Sequence, residues 1–339
     1  MANRAPDLDP ETWRRRLTAH RGRATWGERL VPLGDFRRAA AAAGAELSAA
    51  ERREAVRRHR AERPDPTPVE GPYERIAVFG GVYSNHLALA ALLDEVRGGR
   101  RGEVDAVYCL GDLGGFGPSP EAVRPLLAEG GVHVLQGNYE ESLAGGAEDC
   151  NCGYTDPRDN HFADLSYRYT AERCSPGFKA WMATLPKRRR VRLGGRELLL
   201  VHGSPRRSNE FLFRSTTPVP FLETLLDQEG ADAVLCTHTG LDWHRRLPSG
   251  RDAVNVGVIG RPANDGDRRV RYAVLEAPAG GREAPLGVEL RPLAYDHAAL
   301  AAEMRREELP PEFVETILTG WWTTCLEVLP AKERAASRF

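Results

Sequence analysis

The sequence predicts an α/β protein in which two packed mixed β-sheets are flanked by helices. Short apolar runs bounded by glycines, IAVFGG, AVYCLGD and VHVLQGN, alternate from residue 75 onward with helices predicted over 86–96 and 120–127. Buried strands that alternate with helices indicate a layered sheet. The pattern predicts further strands over 196–202, 233–237, 253–258 and 271–275. These form a second sheet that can pack on the first.

Helical extensions are predicted on both sides of this region. Residues 35–43 and 48–63 have helical periodicity, and residues 63–72 (RPDPTPVEGP) contain four prolines. Proline fixes φ and removes a hydrogen-bond donor, so this segment should be an extended linker. Residues 297–339 return to a helical pattern. We therefore predict a helical extension and linker (1–72), a main domain (73–290) and a C-terminal helical extension (291–339).

The apolar C-terminal stretch FVETILTGWWTTCLEVL contains the adjacent residues Trp321 and Trp322. Exposed apolar patches usually mark interfaces. The pair therefore either packs on the main domain or contributes to a homo-oligomer through the terminal helices.

Composition limits the classes of partner and the compartment. Lys and Arg number 47 and Asp and Glu 48, for a formal charge of -1, which gives no electrostatic reason to bind nucleic acid or an anionic membrane. No run approaches the roughly 20 apolar residues of a membrane span, and the N-terminus lacks the apolar core of a signal peptide. We expect a cytoplasmic protein. Its six cysteines should then be free thiols or ligands rather than disulfides.

Five short motifs follow predicted strands: GGVYSN (80–85), GDLGGFGP (111–118), GNYE (137–140), VHGSP (201–205) and CTHTG (236–240), with NVGVIGRP (255–262) after them. The series resembles that of the calcineurin-like metallophosphoesterases: D-x-H, G-D-x-x, G-N-H-[DE], an isolated H, and G-H-x-H. The resemblance covers about residues 75–280. It implies that family's four-layer fold and metal-dependent hydrolysis of a phosphoester or a related anionic small molecule.

Most departures from the family pattern affect the ligands of one of the family's two metal ions. Four usual functional residues are replaced, by Gly81, Tyr83, Tyr139 and Gly240. In the family, three of these positions (81, 83 and 240) help to hold the first ion. The resemblance implies that every protein ligand of the second ion remains, namely Asp112, Asn138, His202 and His238. This donor set suits one divalent transition metal ion, Fe, Mn, Zn or Co.

Several roles remain open for the replacing side chains. Tyr83 could be a phenolate ligand to iron in a rebuilt first position, giving two ions, or Tyr83 and Tyr139 could fill the space of the lost ligands. His244 could replace the final ligand. An unperturbed phenol titrates near 10, so Tyr139 cannot act as the family's histidine acid near neutral pH. His161, in an unusual insertion, is then the first candidate for that acid.

Basic residues close to these motifs are candidates for substrate binding, because guanidinium groups hold phosphate or carboxylate bidentately. They are Arg158, Arg206 and Arg207. Cys150 and Cys152 form a C-x-C pair that could supply thiolate ligands or a redox couple, or be ordinary loop thiols.

Three functions are consistent with this sequence. The first is a metallophosphoesterase-type hydrolase with an altered, mononuclear or tyrosine-containing metal site. The second is an iron-dependent enzyme of another reaction class on the same fold, because one fold hosts unrelated reactions. The third is a catalytically inactive metal-binding or partner protein.

Overall fold

The computed structural model describes residues 9–12, 24–26, 29–31, 66–98, 103–280 and 284–335. The chain forms two compact units, residues 1–66 and 67–339. In the first unit, strands β1 (Ala24–Trp26) and β2 (Arg29–Val31) pair in antiparallel fashion. The helices predicted over 35–43 and 48–63 lie outside the described residues.

The second unit contains a five-stranded sheet with the order β13-β12-β4-β5-β6. Its strands are β4 (Arg75–Phe79), β5 (Ala106–Cys109), β6 (His133–Val134), β12 (Val270–Glu276) and β13 (Gly287–Leu293). Strands β4, β5 and β6 are parallel, and β12 is antiparallel to both β4 and β13. Helices α1 (His86–Arg97) and α2 (Val123–Glu129) connect the parallel strands. The sheet is therefore mixed.

A six-stranded sheet has the order β10-β11-β9-β8-β7-β3. It consists of β3 (Val69–Tyr73), β7 (Arg188–Leu193), β8 (Arg196–Val201), β9 (Ala233–Cys236), β10 (Asp242–Arg246) and β11 (Asp252–Val256). Strand β9 is parallel to β8 and β11, whereas β7–β8 and β10–β11 are antiparallel hairpins. This sheet is mixed as well.

Alternation along the strands explains how the sheets pack. In β4, Ile76 and Val78 join a buried cluster with Leu198 and Leu200 of β8, so these side chains fill the space between the sheets. The neighbouring residue Phe79 points the other way, into a cluster beneath α1. Helix α6 (Val219–Glu229) covers the outer face of the six-stranded sheet. The predicted arrangement of two packed mixed sheets flanked by helices is confirmed.

The remaining helices of the second unit either pack into the buried cluster that contains Phe79 or lie in the C-terminal region. They are α3 (Asn138–Gly145), α4 (Pro157–Arg173), α5 (Pro176–Met182), α7 (His297–Arg306), α8 (Pro311–Thr319) and α9 (Ala331–Ala335). Within the described residues, no helix has both the length and the apolar character needed to cross a bilayer.

Three segments differ from the sequence prediction. Residues 69–72 of the predicted linker belong to β3, an edge strand of the six-stranded sheet, and β13 extends three residues into the predicted C-terminal extension. The helical pattern near Trp322 is also interrupted. Gly320 adopts a left-handed φ of 78° that ends α8, and residues 320–330 run without regular structure. Trp322 is only 1% exposed, so it packs within its own unit.

Candidate metal centre

Strand ends bring four predicted ligands into one region. Asp112 follows β5, Asn138 begins α3 after β6, His202 follows β8 and His238 follows β9. Parallel strands present their carboxyl ends at the same edge of a sheet, where ligand sites form in α/β proteins. Asp112 and His238 have left-handed φ angles of 58° and 68°. Such conformations are uncommon for residues other than glycine and cluster at functional sites.

Three ligand atoms from these residues converge. His202 Nε2 lies 3.2 Å from Asp112 Oδ2 and 3.1 Å from His238 Nδ1. All three atoms lie within 4.8 Å of one another. Two ligand atoms that bind the same transition metal ion, each at about 2.1 Å from it, lie roughly 3 to 3.5 Å apart. The two separations that involve His202 Nε2 therefore fit ligands of a single ion.

Asn138 has a buried side-chain oxygen that suits a metal ligand. Its Nδ2 donates to the carbonyl oxygen of Cys150 at 2.9 Å, which fixes the orientation of the amide. Its Oδ1 is buried and has no hydrogen-bond partner. An unpaired buried acceptor costs about 1 to 3 kcal/mol. A metal ion beside Oδ1 would remove that cost, so the residue fits the role of an amide-oxygen ligand.

Backbone carbonyls orient both histidines. His202 Nδ1 lies 2.7 Å from the carbonyl oxygen of Leu110, and His238 Nε2 lies 3.2 Å from that of Cys152. A carbonyl oxygen only accepts hydrogen bonds, so each of these nitrogens carries a hydrogen. The opposite nitrogen of each ring faces the cluster as the available ligand. Such outer hydrogen bonds are typical of histidines that bind metal.

The surroundings of Asp112 favour its charged, carboxylate form. Burial alone would raise the pKa of Asp112, but the His202 imidazole outweighs burial and lowers it. Burial would lower the pKa of His202, but the Asp112 carboxylate outweighs burial and raises it. Burial and then the neighbouring His202 lower the pKa of His238 to about 3, so His238 is neutral at physiological pH. Asp112 thus presents a carboxylate, which attracts a cation.

Glu140 holds the two ligand-bearing loops together, a role that the sequence analysis did not assign. Its buried carboxyl group accepts hydrogen bonds of 2.8 Å from the backbone N–H groups of Asp112, Leu113 and Gly137. Burial and then the Asp112 charge raise the pKa of Glu140 to about 7. The residue is the third of helix α3, where glutamate often accepts from the N-cap backbone. That capping-box position is the sequence signal that could have identified it.

The insertion after α3 closes over the centre. Cys150 and Cys152 form a disulfide, so the expectation of free thiols or thiolate ligands is wrong for this pair, and the redox couple stays a prediction. Their carbonyl oxygens accept from Asn138 and His238. The ring of Phe211 lies 4.4 Å from that of His238. As a result, each of the four candidate ligands is at most 6% exposed.

Tyr83 and Tyr139 are buried beside the centre. The Tyr139 hydroxyl lies 2.8 Å from Ser166 Oγ, and its backbone N–H donates to Asp112 Oδ1 at 3.2 Å. Burial is the main cause that raises the pKa of both phenols. A Cβ atom added to Gly81 would lie 2.7 Å from Cζ of Tyr83. The Tyr83 ring therefore occupies the space into which a side chain at position 81 would extend.

The C-terminal segment fills the space above Gly240. A Cβ atom at that position would lie 2.6 Å from Cη2 of Trp322 and 3.2 Å from Nη2 of Arg261. Trp322 is fixed by donating its backbone N–H to Asn264 Oδ1 at 2.8 Å and Nε1–H to the carbonyl oxygen of Pro262 at 2.6 Å. Neither Trp322 nor Arg261 was predicted to lie near the site. Arg261 belongs to the segment NVGVIGRP (255–262) that follows the five motifs, whereas Trp322 comes from the C-terminal stretch.

The structure does not bring the other predicted residues to the ligand cluster. His161 is exposed on α4 and contacts the ring of Phe162. Arg158 is exposed and donates to the carbonyl oxygen of Thr323. Arg206 and Arg207 are exposed as well, and Arg206 forms a 2.9 Å ion pair with Glu210.

His244 does not replace the missing final ligand. It lies in β10, and its Nε2 is 2.8 Å from Asp252 Oδ1. Asp252 also pairs with Arg196 and Arg246. His244 therefore belongs to a buried ionic cluster of the six-stranded sheet.

Comparisons with known proteins agree with this architecture. An uncharacterized protein of Methanocaldococcus jannaschii, MJ0912, is 21% identical over 265 residues, which cover 72% of this chain and 98% of the relative. A metallophosphoesterase structure from Sphaerobacter thermophilus matches with a TM-score of 0.54 and 24% identity, covering 73% of this chain and 99% of that one. The hypothetical protein PH1004 of Pyrococcus horikoshii matches with a TM-score of 0.59 and 21% identity, covering 75% and 100%.

The structural matches support the fold, and the family match covers more than half of the chain. The model of the calcineurin-like phosphoesterase superfamily domain matches residues 75–279, which include all five motifs and the four candidate ligands. This protein therefore belongs to the calcineurin-like phosphoesterase superfamily.

Proposed function

We propose that the protein is a metal-dependent hydrolase of a phosphoester or related anionic small molecule, and that it uses one divalent transition metal ion. The ion would be held by Asp112, Asn138, His202 and His238. The observation that carries this proposal is the buried Asn138 Oδ1, which lacks a partner although its amide nitrogen is fixed by the Cys150 carbonyl oxygen. In a cluster with a purely structural role, a buried oxygen of this kind would normally be hydrogen-bonded.

The protein's own residues contribute orientation and charge. Carbonyl oxygens of Leu110 and Cys152 aim the two imidazoles, and the carboxylate of Asp112 adds negative charge. When bound, a divalent ion supplies a Lewis acid and lowers the pKa of a coordinated water molecule. The chain offers only glycines at positions 81 and 240, where the family places ligands for a first ion. We therefore expect slower hydrolysis of ordinary phosphoesters than two ions would support.

Metal analysis of matched variants tests the proposal. The wild-type protein is loaded anaerobically with Fe(II), Mn(II), Zn(II) or Co(II), desalted, and analysed by mass spectrometry for bound metal. We expect about one ion per chain for at least one of these metals, and at least a tenfold loss of affinity for it in Asn138→Ala and His238→Ala. His161→Ala is the control, since this histidine is exposed on α4. Equal metal retention by all four proteins, or none by the wild type, would contradict the proposal.

The burial of the centre supports a second candidate, a metal-binding protein without hydrolytic activity. Carbonyl oxygens of the Cys150–Cys152 loop accept hydrogen bonds from two candidate ligands, and the ring of Phe211 packs on that of His238. A substrate can reach the centre only if this covering moves. Aryl phosphate monoesters and diesters distinguish the candidates: turnover that is lost in Asp112→Asn supports the hydrolase, whereas stoichiometric metal without turnover supports the second candidate.

A further inference from the structure

Arg261 lies at the family's first metal position, which is defined here by residues 81, 83 and 240. Its Nη2 is 3.2 Å from the place of a Cβ atom on Gly240. Its Cζ lies 5.7 Å from the centre of the Tyr83 ring. A positively charged side chain thus lies where the family places its first metal ion. The side chains that would bind that ion are absent from this chain.

The guanidinium group is buried, and the part of the chain that the structure describes places no counter-charge against it. Arg261 is 5% exposed, and its Nε is buried without a hydrogen-bond partner. No carboxylate of the described chain forms an ion pair with it. Burial raises the pKa of the adjacent Cys325 thiol, which therefore stays neutral. Buried charges are normally paired, so this arrangement calls for an explanation.

Aromatic rings hold the guanidinium plane. Cζ of Arg261 lies 3.5 Å from the centre of the Trp322 ring and 4.9 Å from that of Phe116. Such stacking offsets part of the cost of burying the charge. It also leaves the in-plane N–H donors available, and their fork matches two oxygens of a phosphoryl group. The arginine is thus restrained in orientation with donors still available.

Tyr83 and Gly240 link Arg261 to the proposed metal centre. Tyr83 connects the two: its backbone N–H donates to the carbonyl oxygen of Asp112 at 3.1 Å, and its ring faces Arg261. Gly240, beside Nη2, is two residues from His238. A cavity of about 10 Å³ also borders Arg261, next to Thr316 and Thr324. This volume holds about one water molecule and not a phosphate, so the cavity itself is not the anion site.

We propose that Arg261 is a phosphoryl-binding residue that replaces the positive charge of the first metal ion. The anionic group would be held between the Arg261 guanidinium and the ion at Asp112, Asn138, His202 and His238. This inference rests on the proposed function. It assigns substrate binding to a buried arginine rather than to the exposed arginines 158, 206 and 207.

Calorimetric titration with inorganic phosphate tests the inference, with bound metal measured in every sample. Phosphate should bind the wild type, and Arg261→Met should weaken binding about tenfold or more without changing metal content. Arg261→Lys keeps the charge but loses the fork, so its affinity should fall by a smaller factor. Arg168→Met, at an exposed arginine of α4 paired with Asp164, is the control and should retain wild-type affinity.

The outcomes separate this inference from the proposed function. Unchanged phosphate affinity in folded Arg261→Met, or no binding of phosphate by the wild type, would overturn the role of Arg261. If Arg261→Met does not fold, unchanged affinity in Arg261→Lys would do the same. If the wild-type protein binds no metal, that result contradicts the proposed function alone. A phosphate affinity that depends on Arg261 in this metal-free protein would still support the role of the arginine.

Discussion

Restoring a histidine at position 240 should destabilise this protein because Trp322 already occupies the space. Gly240 has a φ of 77°, and a Cβ atom there would lie 2.6 Å from Cη2 of Trp322. The Gly240→His variant therefore carries two separate costs. One is the left-handed backbone, and the other is the overlap with the indole ring.

The two costs can be given magnitudes. Left-handed backbone costs a residue with a Cβ atom about 1 to 2 kcal/mol, and overpacking a filled site costs about 1 to 3 kcal/mol. We expect Gly240→His to lower the free energy of unfolding by about 2 to 5 kcal/mol. Trp322→Ala should lower it by about 3 to 5 kcal/mol through cavity formation. In the double variant the overlap disappears, so its loss should be about 1 to 3 kcal/mol smaller than the sum of the single losses.

Urea unfolding of the four proteins, followed by circular dichroism, measures this coupling. Gly131→His is the matched control, because Gly131 has a φ of 60° and no atom within 4 Å of an added Cβ. It should show the backbone cost alone and no coupling to Trp322→Ala. Additive losses for Gly240→His and Trp322→Ala would show that Trp322 does not fill the space above Gly240.

Three further predictions concern the surroundings of the centre. Glu140→Ala should lower the free energy of unfolding by about 3 to 6 kcal/mol in urea titrations, because three buried backbone N–H groups lose their acceptor; a loss below 1 kcal/mol would contradict the loop-holding role. Alkylation of the denatured protein should modify four cysteines without reductant and six after reduction, if Cys150 and Cys152 are paired; six in both samples would refute the pairing. Tyr139→Phe should cost about 0.5 to 1.5 kcal/mol of stability through the bond to Ser166 and leave kcat within a few-fold, whereas loss of a general acid would lower kcat about 100-fold or more.

The ligand cluster was predictable because each of its residues belongs to a motif at a strand end. Local sequence placed the strands near residues 76, 106, 196 and 233, and the carboxyl ends of such strands meet in space. Helix α1 was also predicted from the sequence, over 86–96, and is observed over His86–Arg97. Short apolar runs separated by helices were therefore enough to indicate the layers, and the resemblance of the motifs to those of the family indicated the ligands.

Features that depend on distant contacts were not predictable. Strand β7 has the sequence RRRVRL, which does not resemble a buried strand, yet Arg190 is buried because Glu197 and Glu229 pair with it. Strand β3 lies mostly in the segment assigned to a linker because of its four prolines, and its partner β7 lies more than 100 residues away. The position of Trp322 follows from hydrogen bonds to residues 262 and 264, about 60 residues earlier. No local pattern contains this information.

Anomalous diffraction from crystals of the metal-loaded protein, recorded at the absorption edge of the bound element, tests the central claim most directly. We predict one anomalous peak, within coordination distance of Asp112 Oδ2, Asn138 Oδ1, His202 Nε2 and His238 Nδ1, and none beside Gly81 and Gly240. Two peaks at the centre, or a single peak away from Asn138 Oδ1, would contradict the account.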